Sequence, residues 1–144
     1  MIKALALALL LCATAPSWAL EYRAMAEPSI LYDAPATKAK KLFIIARQTP
    51  VEVVVSVGAW TKVRDSKGDL AWVETQRFGP GRTVIVRVDR AAVYADADEK
   101  SVRMFDAARE VVLDLLEAAP PGWAKVRHRD GQVGFIKAGQ VWGL

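Results

Sequence analysis

The sequence contains few of the residues on which metal and thiol chemistry depend. Its 144 residues include one cysteine, Cys12, and one histidine, His128. Because a Cys/His zinc site needs several such ligands and a disulfide needs two cysteines, neither can form within this chain. Glycine and proline are not enriched either, with nine and seven residues, which excludes a collagen-like or low-complexity protein.

A large excess of charge of one sign is also lacking. Twenty Lys and Arg residues against sixteen Asp and Glu residues leave a net charge of +4. Nucleic-acid-binding domains usually carry a concentrated basic surface, so no nucleic-acid partner is predicted. The basic run at Lys38, Lys40 and Lys41 is short and is typical of a solvated loop.

The first residues form the one long hydrophobic run. Lys3 precedes an uncharged apolar segment at 4–15, and Ser17 and Ala19 are the small residues that a signal peptidase requires. The apolar segment is shorter than the roughly 20 residues of a membrane-spanning helix. We therefore predict a cleaved signal peptide at residues 1–19, no stable membrane insertion after cleavage, and a periplasmic protein. The single cysteine would leave with the signal, which suits an oxidising compartment.

The remainder of the chain contains one pattern twice, on either side of a Gly-Pro-Gly break at 79–81 that can continue neither helix nor strand. The corresponding segments are 30–34 with 92–96, 51–54 with 113–116, 60–64 with 123–127, and 71–73 with 134–136. We predict two tandem domains, at 20–78 and 83–144, joined by a linker at 79–82. Each would bury a marginal core alone, so we expect them to pack against each other.

Each copy has the features of an all-β fold. Segment 51–57 is a run of β-branched residues, and Asp130-Gly131 between two short apolar segments is typical of a hairpin. Segment 101–116 is rich in Ala, Arg, Glu and Leu and also fits a helix. Its counterpart at 42–55 contains a proline and several β-branched residues, so we predict strands in both copies.

These motifs resemble the bacterial SH3-like domain, SH3b, whose usual pattern is Gly-Trp-x-Lys-Val followed, after a hairpin, by Gly-Trp-Val. The matching residues here are Gly122-Trp123-Ala124-Lys125-Val126 and Ala59-Trp60-Thr61-Lys62-Val63, preceded in the first copy by Leu31-Tyr32-Asp33-Ala34-Pro35. Tyr32 and Tyr94 stand where the family often has arginine. The resemblance covers nearly the whole chain after the signal. It implies an all-β protein of two tandem small SH3-like β-barrels after an N-terminal signal peptide.

The strand around Trp60 is the best candidate for a binding surface. In a strand, Trp60, Lys62 and Arg64 share one face while Val63 points to the other. An outward tryptophan beside cations suits an extended peptide that carries a carboxylate. In the alternative interpretation, these large aromatic residues pack across the open ends of small barrels.

The resemblance also implies where a ligand would bind, since the family groove lies between the loop after the first strand and the hairpin tip. By position, the candidate ligand-binding residues are Tyr32, Trp60, Trp72, Tyr94, Trp123 and Phe135. The implied ligand is a cell-wall peptide, in particular the stem peptide of peptidoglycan. The alternative is a protein–protein adaptor or scaffold that binds a periplasmic or envelope protein.

No catalytic residue, metal site or cofactor is predicted. His128 lies between two arginines and would have no cysteine partner in the mature chain. Asp96, Asp98 and Glu99 crowd one turn but lack the central glycine of a calcium-binding loop. No glycine-rich phosphate loop follows a predicted strand. We therefore expect a non-catalytic binding protein of the cell envelope.

Overall fold

The computed structural model describes residues 19–144, so the predicted signal peptide, apart from its last residue, lies outside the described residues. The strands of the first half are β1 (Glu21–Ala24), β2 (Ser29–Tyr32), β3 (Lys41–Ile45), β4 (Pro50–Val57), β5 (Trp60–Arg64) and β6 (Leu70–Glu74), followed by a 3₁₀ helix at Thr75–Arg77. Those of the second half are β7 (Thr83–Val86), β8 (Arg90–Tyr94), β9 (Arg103–Ala108), β10 (Val112–Glu117), β11 (Trp123–Arg127), β12 (Val133–Lys137) and, after a 3₁₀ helix at Ala138–Gln140, β13 (Val141–Trp142). The predicted all-β fold is confirmed. Within these residues no helix is long and apolar enough to cross a membrane.

The two halves, called here the first and second domains, have the same topology. Their sheet orders are β1-β4-β5-β6-β2-β3 and β13-β7-β10-β11-β12-β8-β9. The place of β13 is taken in the first domain by a single antiparallel bridge between Met25 and Phe78. The segment at 101–116 forms β9 and β10, as the repeat predicts, although its composition also fits a helix.

Alternating side chains along several strands help to build one core per domain. In β5, Thr61 and Val63 are buried while their neighbours are half-buried, which is the alternation of a sheet with one covered face. In the second domain, Leu113 of β10 belongs to one core cluster with Val141 of β13 and Ala107 of β9. These last two strands lie at opposite ends of the sheet order, so the sheet curls round its own core.

The hairpins that join β5 to β6 and β11 to β12 are built alike. Gly68 and Gly131 both have φ of +95°, a backbone conformation that glycine adopts at no steric cost. The Asp65 and Asp130 side chains each accept a hydrogen bond of 2.9 Å from a backbone N–H within the turn. These turns set the register that places equivalent residues on equivalent faces of the two sheets.

The two domains contact each other, as their small size predicts. The Tyr22 ring of β1 meets the Trp142 ring of β13 edge-on, with centroids 5.0 Å apart, and the Arg82 guanidinium lies 5.8 Å from the centre of the Tyr22 ring. The Thr83 hydroxyl donates a 2.6 Å hydrogen bond to the Gln48 carbonyl oxygen. Burial raises the pKa of Tyr22 above its usual value. The short linker therefore joins domains that are in direct contact.

The free edges of the two sheets differ in character. Strand β3 lies at the edge of the first sheet, and its residues Leu42, Phe43 and Ile44 are exposed. The corresponding edge strand of the second domain, β9, carries Arg103, whose side chain donates a 2.6 Å hydrogen bond to Asp106. The β3 edge therefore exposes three consecutive apolar residues, whereas the β9 edge exposes Met104 beside a charged pair.

Candidate functional site

Three of the aromatic residues predicted from the sequence come together on one face of the first domain. Tyr32 on β2 lies opposite Trp72 on β6, which lies opposite Lys62 on β5. Trp60, at the start of β5, lies opposite Glu74. Residues directly opposite on neighbouring strands project from the same face of a sheet. The Tyr32 and Trp60 rings meet edge-on with centroids 5.4 Å apart. These five residues are called the first aromatic face.

The other three predicted residues form an equivalent group in the second domain. Tyr94 lies opposite Phe135, which lies opposite Lys125, and Trp123 lies opposite Lys137. The Tyr94 and Trp123 rings meet edge-on with centroids 5.9 Å apart. The Lys125 ammonium nitrogen is 6.0 Å from the centre of the Phe135 ring. These five residues are called the second aromatic face.

The tyrosine of each face packs on the side of its strand away from the core. Successive residues of a strand point to opposite sides. Leu31 accordingly belongs to the core cluster, whereas Tyr32 lies opposite Trp72 on the aromatic face. Both residues are nevertheless buried. The tyrosine supports the tryptophan beside it and contributes little exposed surface in the first domain.

The tryptophans and Phe135 are half-buried, so each combines packing with surface. Trp60, Trp72, Trp123 and Phe135 all retain exposed surface beside buried neighbours on the same strands. Each of these side chains is therefore partly packed and partly accessible to solvent, as an aromatic residue of a peptide-binding surface must be.

Two of the cations expected to receive a carboxylate ligand are already paired within the protein. Arg64 Nη1 donates hydrogen bonds of 3.2 Å to both carboxylate oxygens of Glu52. Arg127 Nη2 donates one of 3.0 Å to Asp114 in the second domain. Each arginine is therefore engaged with an acid of the neighbouring strand, whereas Lys62 and Lys125 form no ion pair with any residue that the structure describes. The sequence signal for these pairs is an acidic residue at the second position of two corresponding apolar segments, Glu52 in 51–54 and Asp114 in 113–116.

A cavity of about 340 Å³ borders the first aromatic face, and it is called the Trp60 cavity. Its lining residues are Thr37, Ala59, Trp60, Glu74, Thr75 and Gln76. They come from the β2–β3 loop, the β4–β5 turn, β5, β6 and the 3₁₀ helix. The hairpin tip expected beside the groove follows Arg64, at the other end of β5, because Trp60 begins the strand that leads to the tip.

A chain of three hydroxyl groups leads from β4 to this cavity in the first domain. The Ser56 and Thr61 hydroxyl oxygens are 3.0 Å apart, and those of Thr61 and Thr75 are 2.8 Å apart. Thr61 is 1% exposed. The corresponding residues of the second domain are Ala118, Ala124 and Ala138. Three hydroxyl residues in one copy against three alanines in the other are therefore the sequence signal for this chain of hydrogen bonds.

The residue opposite each tryptophan differs in sign between the domains. Glu74 Oε2 accepts a 2.7 Å hydrogen bond from the Gln76 amide and lies 3.6 Å from Arg77 Nε. In the second domain the Lys137 ammonium group pairs with the Glu99 carboxylate. The hydrogen bond to Glu99 raises the pKa of Lys137. The two aromatic faces therefore share their framework and differ in their charge.

The single histidine belongs to a hairpin and takes no part in either face. His128 Nδ1 is 3.1 Å from Asp130 Oδ1, and its ring lies 5.6 Å from that of Phe105. Hydrogen bonds from Gln132 hold the pKa of Asp130 below its usual value. Between residues 19 and 144, no group of three or more His, Cys, Asp or Glu side chains is placed to hold a metal ion.

Three solved structures are similar to this chain at low identity. NlpC2 from Trichomonas vaginalis is 9% identical with a TM-score of 0.40, and the match covers 86% of this chain and 48% of that one. NlpC1 from Trichomonas vaginalis is 13% identical with a TM-score of 0.39, and the match covers 94% of this chain and 50% of that one. An NlpC/P60 family protein from Bacillus cereus is 14% identical with a TM-score of 0.39, and the match covers 85% of this chain and 56% of that one. The chain spans about half the length of each. Among curated proteins, none matches the sequence.

The family match agrees with the repeat and with the two sheets. The family described as "Bacterial SH3 domain" matches residues 26–78 and, separately, residues 87–143. Each matched range contains one of the two aromatic faces and the strands that carry it. The chain belongs to the bacterial SH3 domain family and contains two such domains in tandem.

Proposed function

We propose that this protein is exported to the periplasm and binds the stem peptide of peptidoglycan without catalysing a reaction. The observation that carries the proposal is the aromatic face, which both domains repeat and which borders an open cavity at Trp60. The signal-like pattern of residues 1–19 supports export, and membership of a bacterial SH3 domain family supports a binding role.

The composition of the faces suits a short polar peptide. Half-buried Trp and Phe rings offer rigid apolar surface at a low cost in side-chain entropy. Lys62 and Lys125 project from the two faces beside Trp72 and Phe135. A lysine ammonium group is a donor for a peptide carboxylate. The faces therefore combine apolar contact with positive charge, as a peptide carrying a carboxylate requires.

Co-sedimentation of the purified protein with purified sacculi tests this proposal. We expect the protein to pellet with sacculi, and we expect Trp60→Ala or Trp123→Ala to weaken the apparent affinity, by about tenfold for a ring that contacts the peptide, which corresponds to the loss of about 1.4 kcal/mol. Phe43→Ala is the matched control, because Phe43 is an exposed aromatic residue on β3, outside both faces. The control variant is expected to pellet like the unmodified protein.

A protein-adaptor function is the second candidate, and the exposed apolar edge of β3 favours it. Unpaired edge strands bind extended peptides by adding a strand to the sheet. If the unmodified protein does not pellet above the background of an unrelated periplasmic protein, wall binding is wrong. Periplasmic crosslinking that captures one protein through β3, and loses it in Phe43→Ala, would then support the adaptor function.

A further inference from the structure

The two aromatic faces share a framework but have different surroundings. The lining residues Thr37, Glu74, Thr75 and Gln76 of the first domain correspond to Glu99, Lys137, Ala138 and Gly139 of the second. The backbone confirms the correspondence, because the N–H groups of Thr75 and Ala138 donate to the carbonyl oxygens of Ala59 and Gly122 at 2.8 and 2.9 Å. Every hydrogen-bonding side chain in this part of the cavity is therefore changed or lost in the second domain.

An ion pair occupies the corresponding place in the second domain. Lys137 ends β12 and Glu99 lies in the β8–β9 loop, and their side chains pair directly. In the first domain the same two positions are held by Glu74 and Thr37, which both line the Trp60 cavity. The Lys137–Glu99 pair therefore joins two positions whose side chains form no hydrogen bond with each other in the first domain, among the residues that the structure describes.

Acceptor groups line the open cavity of the first domain. Glu74 uses Oε2 for Gln76 and Arg77, and its Oε1 accepts no hydrogen bond from any of the residues that the structure describes. The Thr75 hydroxyl is held by the buried Thr61 hydroxyl at 2.8 Å. A hydroxyl that donates in such a chain keeps its lone pairs for another donor.

A tryptophan ring beside a carboxylate is suited to bind a cation. The face of an indole attracts cations through its quadrupole, and a carboxylate oxygen forms strong hydrogen bonds with an ammonium group. Trp60 and Glu74 are direct cross-strand neighbours. A primary ammonium group donates three hydrogen bonds, which the Glu74 and Thr75 oxygens can accept while the carbon chain lies against Trp60.

We propose that the first domain provides the ligand site of this protein and that the Trp60 cavity binds a primary ammonium group of the wall peptide between Trp60 and Glu74. The second domain holds the first in place and has its own cavity position filled by the Lys137–Glu99 pair. This inference rests on the proposed wall-peptide binding, and it adds the group recognised and the domain that recognises it.

Calorimetric titration with two forms of one probe tests the inference. The probe is the soluble disaccharide-peptide fraction released from sacculi by muramidase, used either with free amines or after N-acetylation. We expect one peptide to bind per chain, with about tenfold weaker binding after acetylation. Glu74→Gln should lower the affinity for the free-amine form about tenfold and leave the affinity for the acetylated form unchanged.

Two comparisons make the titration decisive. Glu117→Gln, an exposed site at the end of β10, removes the same charge outside the cavity and should bind both forms like the unmodified protein. Trp60→Ala should lose more affinity than Trp123→Ala.

Equal affinities of the Glu74→Gln and unmodified proteins for the free-amine form, or two peptides per chain, would overturn the inference while wall binding stands. No binding of sacculi or of either probe would overturn both.

Discussion

Replacing Leu113 by alanine is expected to lower the free energy of unfolding of the second domain by about 3 kcal/mol. Leu113 is 1% exposed and belongs to a core cluster that also contains Val126 and Ile136. The substitution removes buried apolar surface and leaves a cavity that the surrounding strands can fill only partly. A domain of this size has few other core residues, so the loss is a large fraction of its stability.

Urea unfolding followed by tryptophan fluorescence measures this effect, and Leu116→Ala is the matched control. Leu116 lies on the same strand, β10, and is 42% exposed. Its replacement should cost less than about 1 kcal/mol, because a large part of its side chain already contacts water. Equal losses for the two variants would show that β10 does not bury Leu113 as described.

Gly134→Ala is the second substitution with a large expected effect, a loss of about 2–3 kcal/mol. A methyl group on Gly134 would lie 2.6 Å from the Tyr94 carbonyl oxygen and 2.6 Å from Val93 Cγ1. Relief requires β8 to move away from β12, which weakens the pairing of Phe135 with Tyr94. The substitution should therefore disturb the second aromatic face as well as the stability of the domain.

The control for this prediction is Gly139→Ala in the same domain. A methyl group there meets no atom within 4 Å, so the free energy of unfolding should change by less than about 0.5 kcal/mol. The measurement is again urea unfolding, together with the near-ultraviolet circular dichroism of the aromatic rings. A Gly134→Ala protein as stable as the control would contradict the close approach of β8 and β12.

The repeat made the strands predictable from sequence, and the family resemblance implied the SH3-like architecture. The segment at 101–116 fits a helix when taken alone, and its first-copy counterpart with Pro50 excludes that interpretation. The family resemblance rested on the Trp60 and Trp123 motifs, and these two residues begin equivalent strands in the structure. A pattern that occurs twice constrains each copy more than its local propensities do.

The contacts that complete the site were not predictable in the same way. The cavity is lined in part by the β4–β5 turn, the 3₁₀ helix and the loop that contains Thr37, none of which has a periodic sequence pattern. The pairing of Arg64 with Glu52 depends on the strand register across a hairpin. The Lys137–Glu99 contact joins two loop-adjacent positions far apart in sequence. Each of these contacts depends on how segments distant in sequence are aligned in the fold, which local sequence patterns do not show.

The difference between the two edge strands has a consequence for the behaviour of the protein at high concentration. Strand β3 presents unpaired backbone groups beside exposed Leu42, Phe43 and Ile44, which is the arrangement that templates aggregation through strand addition. In β9, the exposed Met104 stands beside the paired charges of Arg103 and Asp106, and charges on an edge strand disfavour such addition. We therefore expect self-association, where it occurs, to begin at the first domain, and we expect Ile44→Lys to reduce it.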